Sequence, residues 1–193
     1  MSLSRVKVWS NGEVLSATDL NGEFNNILNY LNGAMTLPGT VTVSGQLIGK
    51  GTATNDSAAA GYIGEIISAS VLIGAAISLT LDSPANITSI SLTAGDWDVS
   101  GAIWFTGGAT TTVTYLVGAV SATSATLPTR GDSNYTSNPH GGATLFNNAA
   151  AGYMIGPYRV SLASTTTYYL VTQAGFATST CSGFGIIRAR RVR

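Results

Sequence analysis

Charged side chains are scarce in this sequence. Only 9% of its 193 residues are charged, nine basic and nine acidic, and the formal net charge is zero, whereas globular proteins usually carry about 25% charged residues. A nucleic-acid-binding protein needs a basic surface to displace counterions, so we expect no nucleic-acid partner. The 45% hydrophobic content argues against disorder. Either much of the surface is buried between subunits, which we favour, or a Ser/Thr/Asn-rich surface replaces charge.

Cysteine, histidine and long apolar runs are also nearly absent. Cys181 is the single cysteine, so no disulfide forms within one chain, and His140 is the single histidine. No Cys/His spacing or acidic loop indicates a metal, and we expect no cofactor. The start has no apolar core for a signal peptide. The most apolar run, residues 63–81, is too interrupted for a membrane helix, so we expect no membrane insertion.

One segment near the start predicts an amphipathic helix. Ser16 and Asp19 have the spacing of a capping box, and Gly33 fits the stop. A helix of about 15 residues is marginal alone, so something must cover its apolar stripe. We favour a helix that packs on copies of itself or on a larger particle. The alternative is that it folds back onto the rest of its own chain. The predicted assembly or anchor residues are Trp9, Leu20, Phe24, Ile27, Leu28 and Leu31.

The remainder predicts a mainly β protein. Residues 34–60 form an extended connector, and alternating segments separated by turn signals follow in 61–193. Eight strands in about 130 residues are typical of a jelly-roll sandwich. We therefore predict an arm and helix in 1–33, a connector in 34–60 and a jelly-roll head in 61–193. The predicted strands cover about 62–72, 75–81, 86–93, 97–106, 110–120, 153–162, 166–174 and 184–191.

The longest irregular segment is predicted at residues 121–152. Long polar loops on a rigid β scaffold are common recognition sites. Aromatic rings with Asn and Asp side chains suit shallow sugar-binding sites, and Phe146 lies beside this group. Trp97 and Trp104 are expected in the core or a subunit interface instead. The candidate receptor or glycan contacts are Asp132, Asn134, Tyr135, Asn138 and His140, with Tyr135 and Asn134 favoured.

Two parts of the sequence resemble proteins of tailed bacteriophages. "VKVWSNGEVLSATDLNGEFNNILNYLNG" resembles the N-terminal segment by which trimeric fibre and appendage proteins attach to the virion. "GYIGEIISASV" and "ITSISLTAGDWDVSG" are similar to the C-terminal head domains of phage fibres. The more specific phrases are "DLNGEFNNI" and "LTAGDWDVSG". Together the similar stretches cover roughly half the chain, and residues 107–160 carry no resemblance.

The resemblance implies a function as well as a fold. It implies a homotrimeric, tumour-necrosis-factor-like jelly-roll head and a non-enzymatic tail fibre. The fibre would attach by its N-terminus to other virion proteins and contact a host surface glycan. Assembly in the host cytoplasm would then place the protein in the virion. The alternative is a capsid head fibre or decoration protein, since the sequence does not show where the arm docks.

The sequence gives little indication of a catalytic site. Asp96 and Asp98 share a strand face about 7 Å apart, a separation found in glycosidases, so a glycan-cleaving enzyme is the third hypothesis. We favour turn-capping or solvated carboxylates instead. His140 and Cys181 are far apart in sequence, and no nucleophile-elbow motif accompanies them. Arg130-Gly131-Asp132 matches an integrin-binding tripeptide, but matches of three residues often arise by chance.

The C-terminal segment "IIRARRVR" is rich in arginine. Alternation places Arg188 and Arg190 on one face and Arg191 and Arg193 on the other. We expect a solvated end that protects a strand edge from pairing. A docking site for an acidic partner is the alternative.

Overall fold

The computed structural model describes residues 7–32, 44, 54, 56–145 and 151–193, with positions 140–145 and 151 described by their backbone alone. The chain divides into two compact units, Met1–Ala53 and Thr54–Arg193. The predicted connector falls largely outside the described residues, as do Gly33 and Phe146.

The first unit contains the predicted helix, α1, over Ala17–Asn32. Ser16 caps it as expected, because the Asp19 amide donates to Ser16 Oγ at 3.1 Å. The preceding arm is tied to the helix by Lys7. The backbone amide of Lys7 donates to Glu23 Oε1 at 2.8 Å, and Lys7 Nζ lies 2.7 Å from Asp19 Oδ2. The arm is therefore held against the first turns of α1 rather than extended away from them.

The second unit is built from strands. The strands are β1 (Ile66–Val71), β2 (Ile77–Ser78), β3 (Ala85–Leu92), β4 (Gly95–Gly107), β5 (Thr112–Ser121), β6 (Tyr135–Leu145), β7 (Ala151–Leu162), β8 (Thr166–Ala177) and β9 (Cys181–Arg191). β3, β4, β5 and β8 are rich in β-branched and aromatic residues, and burial alternates most regularly along β9.

The connectivity is that of a jelly roll. One sheet has the order β1-β9-β4-β7, with β2 also paired to β9, and the other has the order β3-β8-β5-β6. The pairs β2–β9, β3–β8, β4–β7 and β5–β6 are successive rungs of one long antiparallel ribbon. These rungs alternate between the two sheets, which wraps the ribbon into a sandwich. The mainly β prediction with one preceding helix is confirmed.

The core lies between the two sheets. Its largest fully buried side chains include Trp97 and Phe105 on β4, Leu116 on β5 and Leu170 on β8. Gly118 lets the sheets approach closely, since a Cβ there would lie 2.5 Å from Ile103 Cγ2. Trp97 is thus a core residue, one of the two places predicted for it.

The predicted irregular segment 121–152 is partly wrong. Its second half contains β6, which pairs with β5 at the edge of its sheet. The sequence of β6, "YTSNPHGGATL", is rich in residues that disfavour strands. Pro139 is tolerated because an edge strand need not donate every amide to a neighbour. Non-local pairing with β5 therefore overrides local propensity.

The prediction of a solvated C-terminal end is wrong for Arg191. Arg188 and Arg190 are exposed, but Arg191 is only 5% exposed. Arg191 Nε lies 2.8 Å from Glu65 Oε2, and its guanidinium lies 4.2 Å from the Trp97 ring centre. Burial of an arginine is possible here because a carboxylate and an aromatic face both compensate its charge.

Candidate functional site

A pocket of about 300 Å³ lies on the outer face of the β3-β8-β5-β6 sheet. We call it the tyrosine pocket. It combines two tyrosine rings, an arginine and small polar side chains, which together suit hydrogen bonding and stacking. It is lined by Tyr115, Val117, Arg130, Tyr135, Ser137, Pro139 and Gln173.

Strand register explains why these residues meet. Tyr115 is opposite Pro139, and Val117 is opposite both Ser137 on β6 and Gln173 on β8. Directly opposed residues in antiparallel strands share one face of the sheet. The side chain of the intervening Leu116 belongs to the core, so this row points outward. The pocket thus spans three strands that are distant in sequence.

Tyr115 is fixed on the floor of the pocket. A Cβ at Gly175 would lie 2.4 Å from Tyr115 Cε1, so the ring packs against this glycine backbone. The Tyr115 hydroxyl donates to Asp82 Oδ1 at 2.6 Å. Burial and then this hydrogen bond raise the pKa of Tyr115 to about 12. Tyr115 therefore remains protonated, and its oxygen can still accept a hydrogen bond from a ligand.

Asp82 is itself held in place by β8. Its backbone φ is 55°, and its amide donates to the Ala174 carbonyl at 3.1 Å. Gln173 Nε2 donates to the Asp82 carbonyl at 2.7 Å. The side-chain oxygen of Gln173 remains an acceptor at the pocket.

Arg130 reaches the pocket from the loop between β5 and β6. This loop is tied down at its start, where the Asn86 side chain donates to Ser124 Oγ and accepts from the Ala125 amide, both at 2.7 Å. Near its end, Asn134 Nδ2 donates to the Val120 carbonyl at 2.8 Å. The loop therefore brings a cation to the sheet from a segment anchored at both ends.

The five predicted contact residues do not form one site. Tyr135 lines the pocket, whereas the side-chain amide of Asn134 is used to close the loop. Asp132 is exposed in the turn before β6. Asn138 is opposite Leu116, so it belongs to the other face of the strand from Tyr135. The side chain of His140 lies outside the described residues.

Sequence reasoning missed the pocket residues that β5 and β8 supply. Alternation along β5 would place Tyr115 and Val117 on the same face as the core residue Val113, and only the register shift between Val113 and Tyr115 turns them outward. Gln173 could not be recognised either, because only the β5–β8 pairing places it beside Val117. The sequence around Arg130 matches only the integrin-binding tripeptide, and that match does not indicate a pocket.

The predicted carboxylate pair is not arranged for acid catalysis. The expectation that Asp96 caps a turn or faces solvent is wrong, because its side chain is 4% exposed and paired with Arg159 and Arg193. The facing Ser161 hydroxyl and Arg159 guanidinium lower the pKa of Asp96 to about 2. Such a carboxyl is ionised at neutral pH and cannot donate a proton. Asp98 is exposed.

Cys181 lies in the core, and burial raises the pKa of its thiol to about 11. It is therefore a neutral thiol at physiological pH and a poor nucleophile or metal ligand. Over the part of the chain that the structure describes, no group of three or more His, Cys, Asp or Glu residues could hold a metal ion.

The outer face of the other sheet is apolar at one end. Trp104 and Phe184 stack there with ring centres 6.0 Å apart. Leu72, Ile73 and Ile186 complete a groove of about 500 Å³. Leu72 is 73% exposed. Exposed apolar surface of this kind usually marks an interaction site.

Helix α1 also leaves its apolar stripe uncovered. Phe24, Ile27, Leu28 and Leu31 are between 42% and 57% exposed in the chain. Leu20 and Trp9 are half-buried. The predicted anchor residues thus present a largely exposed apolar face, which a partner could cover.

Comparison with protein-family models and with curated proteins found no match to this chain. Within the described residues, no helix has the length and apolar character needed to cross a membrane.

Proposed function

We propose that this protein is a non-enzymatic virion fibre of a bacteriophage. It attaches to the particle through its N-terminal unit and contacts the host surface with its jelly-roll head. The observation that carries the proposal is the exposed apolar stripe of α1, in a compact unit of its own. An amphipathic helix with such a face gains its stability from a partner. The resemblance of this segment to phage attachment segments supplies the partner, the virion.

The fibre is a homotrimer in this proposal. Leu20, Phe24, Ile27 and Leu31 follow the alternating four- and three-residue spacing of a coiled-coil seam. In that register Leu31 occupies an a position and Ile27 a d position, a combination that favours three or four strands. The groove around Trp104 and Phe184 supports the same assembly, because neighbouring heads would cover it.

The head contacts a host glycan through the tyrosine pocket. Aromatic rings and uncharged hydrogen-bonding groups meet there on a rigid sheet. The ionised Asp96 and the neutral Cys181 thiol support a binding function over a hydrolytic one.

Adsorption competition tests the fibre function. Purified full-length protein, shown by light scattering to be assembled, is added to host cells before intact phage. We expect phage adsorption to fall as protein concentration rises, and a Tyr135→Ala protein to compete less well. Assembled protein that leaves adsorption unchanged at saturating concentration would contradict a host-binding head.

Immunogold labelling of the virion tests the attachment. We expect label at the tail. Label on the capsid would favour a head fibre or decoration protein, and virions without label would contradict a virion protein of either kind.

A further inference from the structure

The tyrosine pocket contains a cation, the Arg130 guanidinium, for which the described part of the chain provides no carboxylate partner. Arg130 is exposed and forms no ion pair with any residue that the structure describes. An arginine guanidinium binds a carboxylate through two parallel hydrogen bonds. Because the Arg130 guanidinium is not used by a described carboxylate, it favours a ligand that carries one. We propose that the pocket binds a monosaccharide unit carrying a carboxylate, with Arg130 holding that carboxylate. This inference rests on the proposed glycan contact and specifies its chemistry.

The volume of the pocket limits the ligand to a small unit. At about 300 Å³ it lies at the lower end of ligand sites, which range over roughly 300–1,000 Å³. Val117, Pro139 and the Tyr115 ring provide apolar surface for the carbon face of a sugar ring. A single ring within a longer glycan fits this space, with the chain continuing into solvent.

The uncharged groups indicate a hydroxyl-bearing acid rather than a simple anion. The Tyr115 hydroxyl proton and one of the two Nε2 protons of Gln173 already serve Asp82, and the oxygens of both side chains can accept hydrogen bonds. The hydroxyls of Tyr135 and Ser137 make no hydrogen bond to any described residue. Sugar hydroxyls can donate to the oxygens of Gln173 and Tyr115. They can also exchange hydrogen bonds with the hydroxyls of Tyr135 and Ser137.

The apolar surface of the pocket also selects against a simple anion. An ion such as phosphate would gain one guanidinium but would not cover the apolar surface of Val117, Pro139 and the Tyr115 ring. An acidic sugar directs its carboxylate to Arg130 and its hydroxyls towards Tyr115 and Gln173. The pocket therefore fits a ligand with one acidic end and several donors.

The test is a titration of the assembled full-length protein with three probes, in which NMR or calorimetry measures binding. The probes are glucuronate, glucose and inorganic phosphate. A charge-assisted hydrogen bond contributes about 1.5–3 kcal/mol, so glucuronate should bind roughly tenfold to a hundredfold more tightly than glucose. Phosphate should bind more weakly than glucuronate.

Two variants assign the binding to this pocket. Arg130→Gln should remove the preference for glucuronate over glucose, whereas Arg188→Gln, an exposed arginine on the other sheet, should retain it. Gly175→Ala should weaken both sugars, because the added methyl displaces Tyr115. Thermal unfolding of each variant checks that the fold is intact.

Each result has a defined meaning. Equal binding of glucose and glucuronate, or an unchanged preference in Arg130→Gln, would overturn the acidic-sugar inference while leaving the fibre function intact. Tighter binding of phosphate would assign Arg130 to a simple anion and also overturn it. Failure of the fibre function is seen separately, as unchanged adsorption in the competition assay.

Discussion

At the scale of single residues, Arg191 organises one end of the jelly roll. Besides Glu65 and Trp97, its guanidinium donates to the Ala94 carbonyl at 2.9 Å and to Thr93 Oγ1 at 2.5 Å. The same side chain thus joins β9 to the turn between β3 and β4 and to the segment before β1. A buried cation of this kind is stable only while all its partners are present.

Replacing Arg191 should therefore destabilise the head. We expect Arg191→Met to lower the free energy of unfolding by about 3–5 kcal/mol, because Glu65 would remain buried without its partner. Urea denaturation at fixed protein concentration measures the change. Arg188→Met on the exposed face is the control and should change stability by less than about 0.5 kcal/mol. Equal effects of the two substitutions would contradict a structural ion pair.

The second buried carboxyl, Asp96, predicts a pH dependence. Its pKa is about 2 in the folded protein against an ordinary 3.8, so the unfolded chain takes up the proton first as pH falls. The stabilisation is complete above about pH 4 and is lost as pH falls towards about 2.

Asp96→Asn isolates this contribution. We expect the variant to melt below the wild-type protein at pH 6, and the difference in Tm to shrink as pH is lowered from 4 to 2. Thermal unfolding followed by circular dichroism at several pH values measures it. A Tm difference that stays constant over this range would show that the Asp96 carboxylate charge does not stabilise the fold.

At the scale of elements, α1 has a local sequence signal for its start, whereas β6 forms only through pairing with its neighbour. The cap of α1 at Ser16 and Asp19 is local and forms within one turn. Edge strand β6 has no comparable local signal and depends on pairing with β5. The tyrosine pocket therefore also depends on the pairing of β6 with β5, because Tyr135, Ser137 and Pro139 all lie on β6.

The exposed stripe of α1 gives a prediction about assembly. Phe24→Asp should prevent incorporation into virions or weaken self-association, because burying a phenylalanine side chain contributes about 2 kcal/mol per chain and an aspartate would oppose burial. Asn25→Asp adds the same charge to the next exposed helix position and serves as the control. Virion incorporation and light scattering report the two effects. Incorporation and mass that match the control would refute the docking face.

At the scale of the whole molecule, the jelly roll presents two different outer faces. The β1-β9-β4-β7 sheet carries the Trp104–Phe184 groove, and the β3-β8-β5-β6 sheet carries the polar tyrosine pocket. In the proposed trimer the groove on the first face packs on neighbouring heads, and the second face meets the host. The residues that line the groove are uncharged, which suits a subunit contact, since the cores of such contacts are depleted of charged side chains.

The trimer predicts a particle of three times the 19.7 kDa chain mass. Ile186→Arg places a charge in the groove and should reduce the measured mass or weaken the assembly at low concentration. Ser89→Arg adds the same charge to the exposed part of β3 and should leave the mass unchanged. Light scattering across a concentration series measures both. A wild-type mass near that of one chain would overturn the trimer.

Local patterns in the sequence determined the capped helix, its apolar stripe and the mainly β class. Capping and alternation act over a few residues, so they can be read from one segment at a time. Only the tertiary structure decided that residues 135–145 pair as a strand and that Arg191 is buried against Glu65. It also decided that Arg130, Tyr115 and Gln173 meet at one pocket. These features depend on register between strands far apart in the chain, and a single sequence does not specify that register.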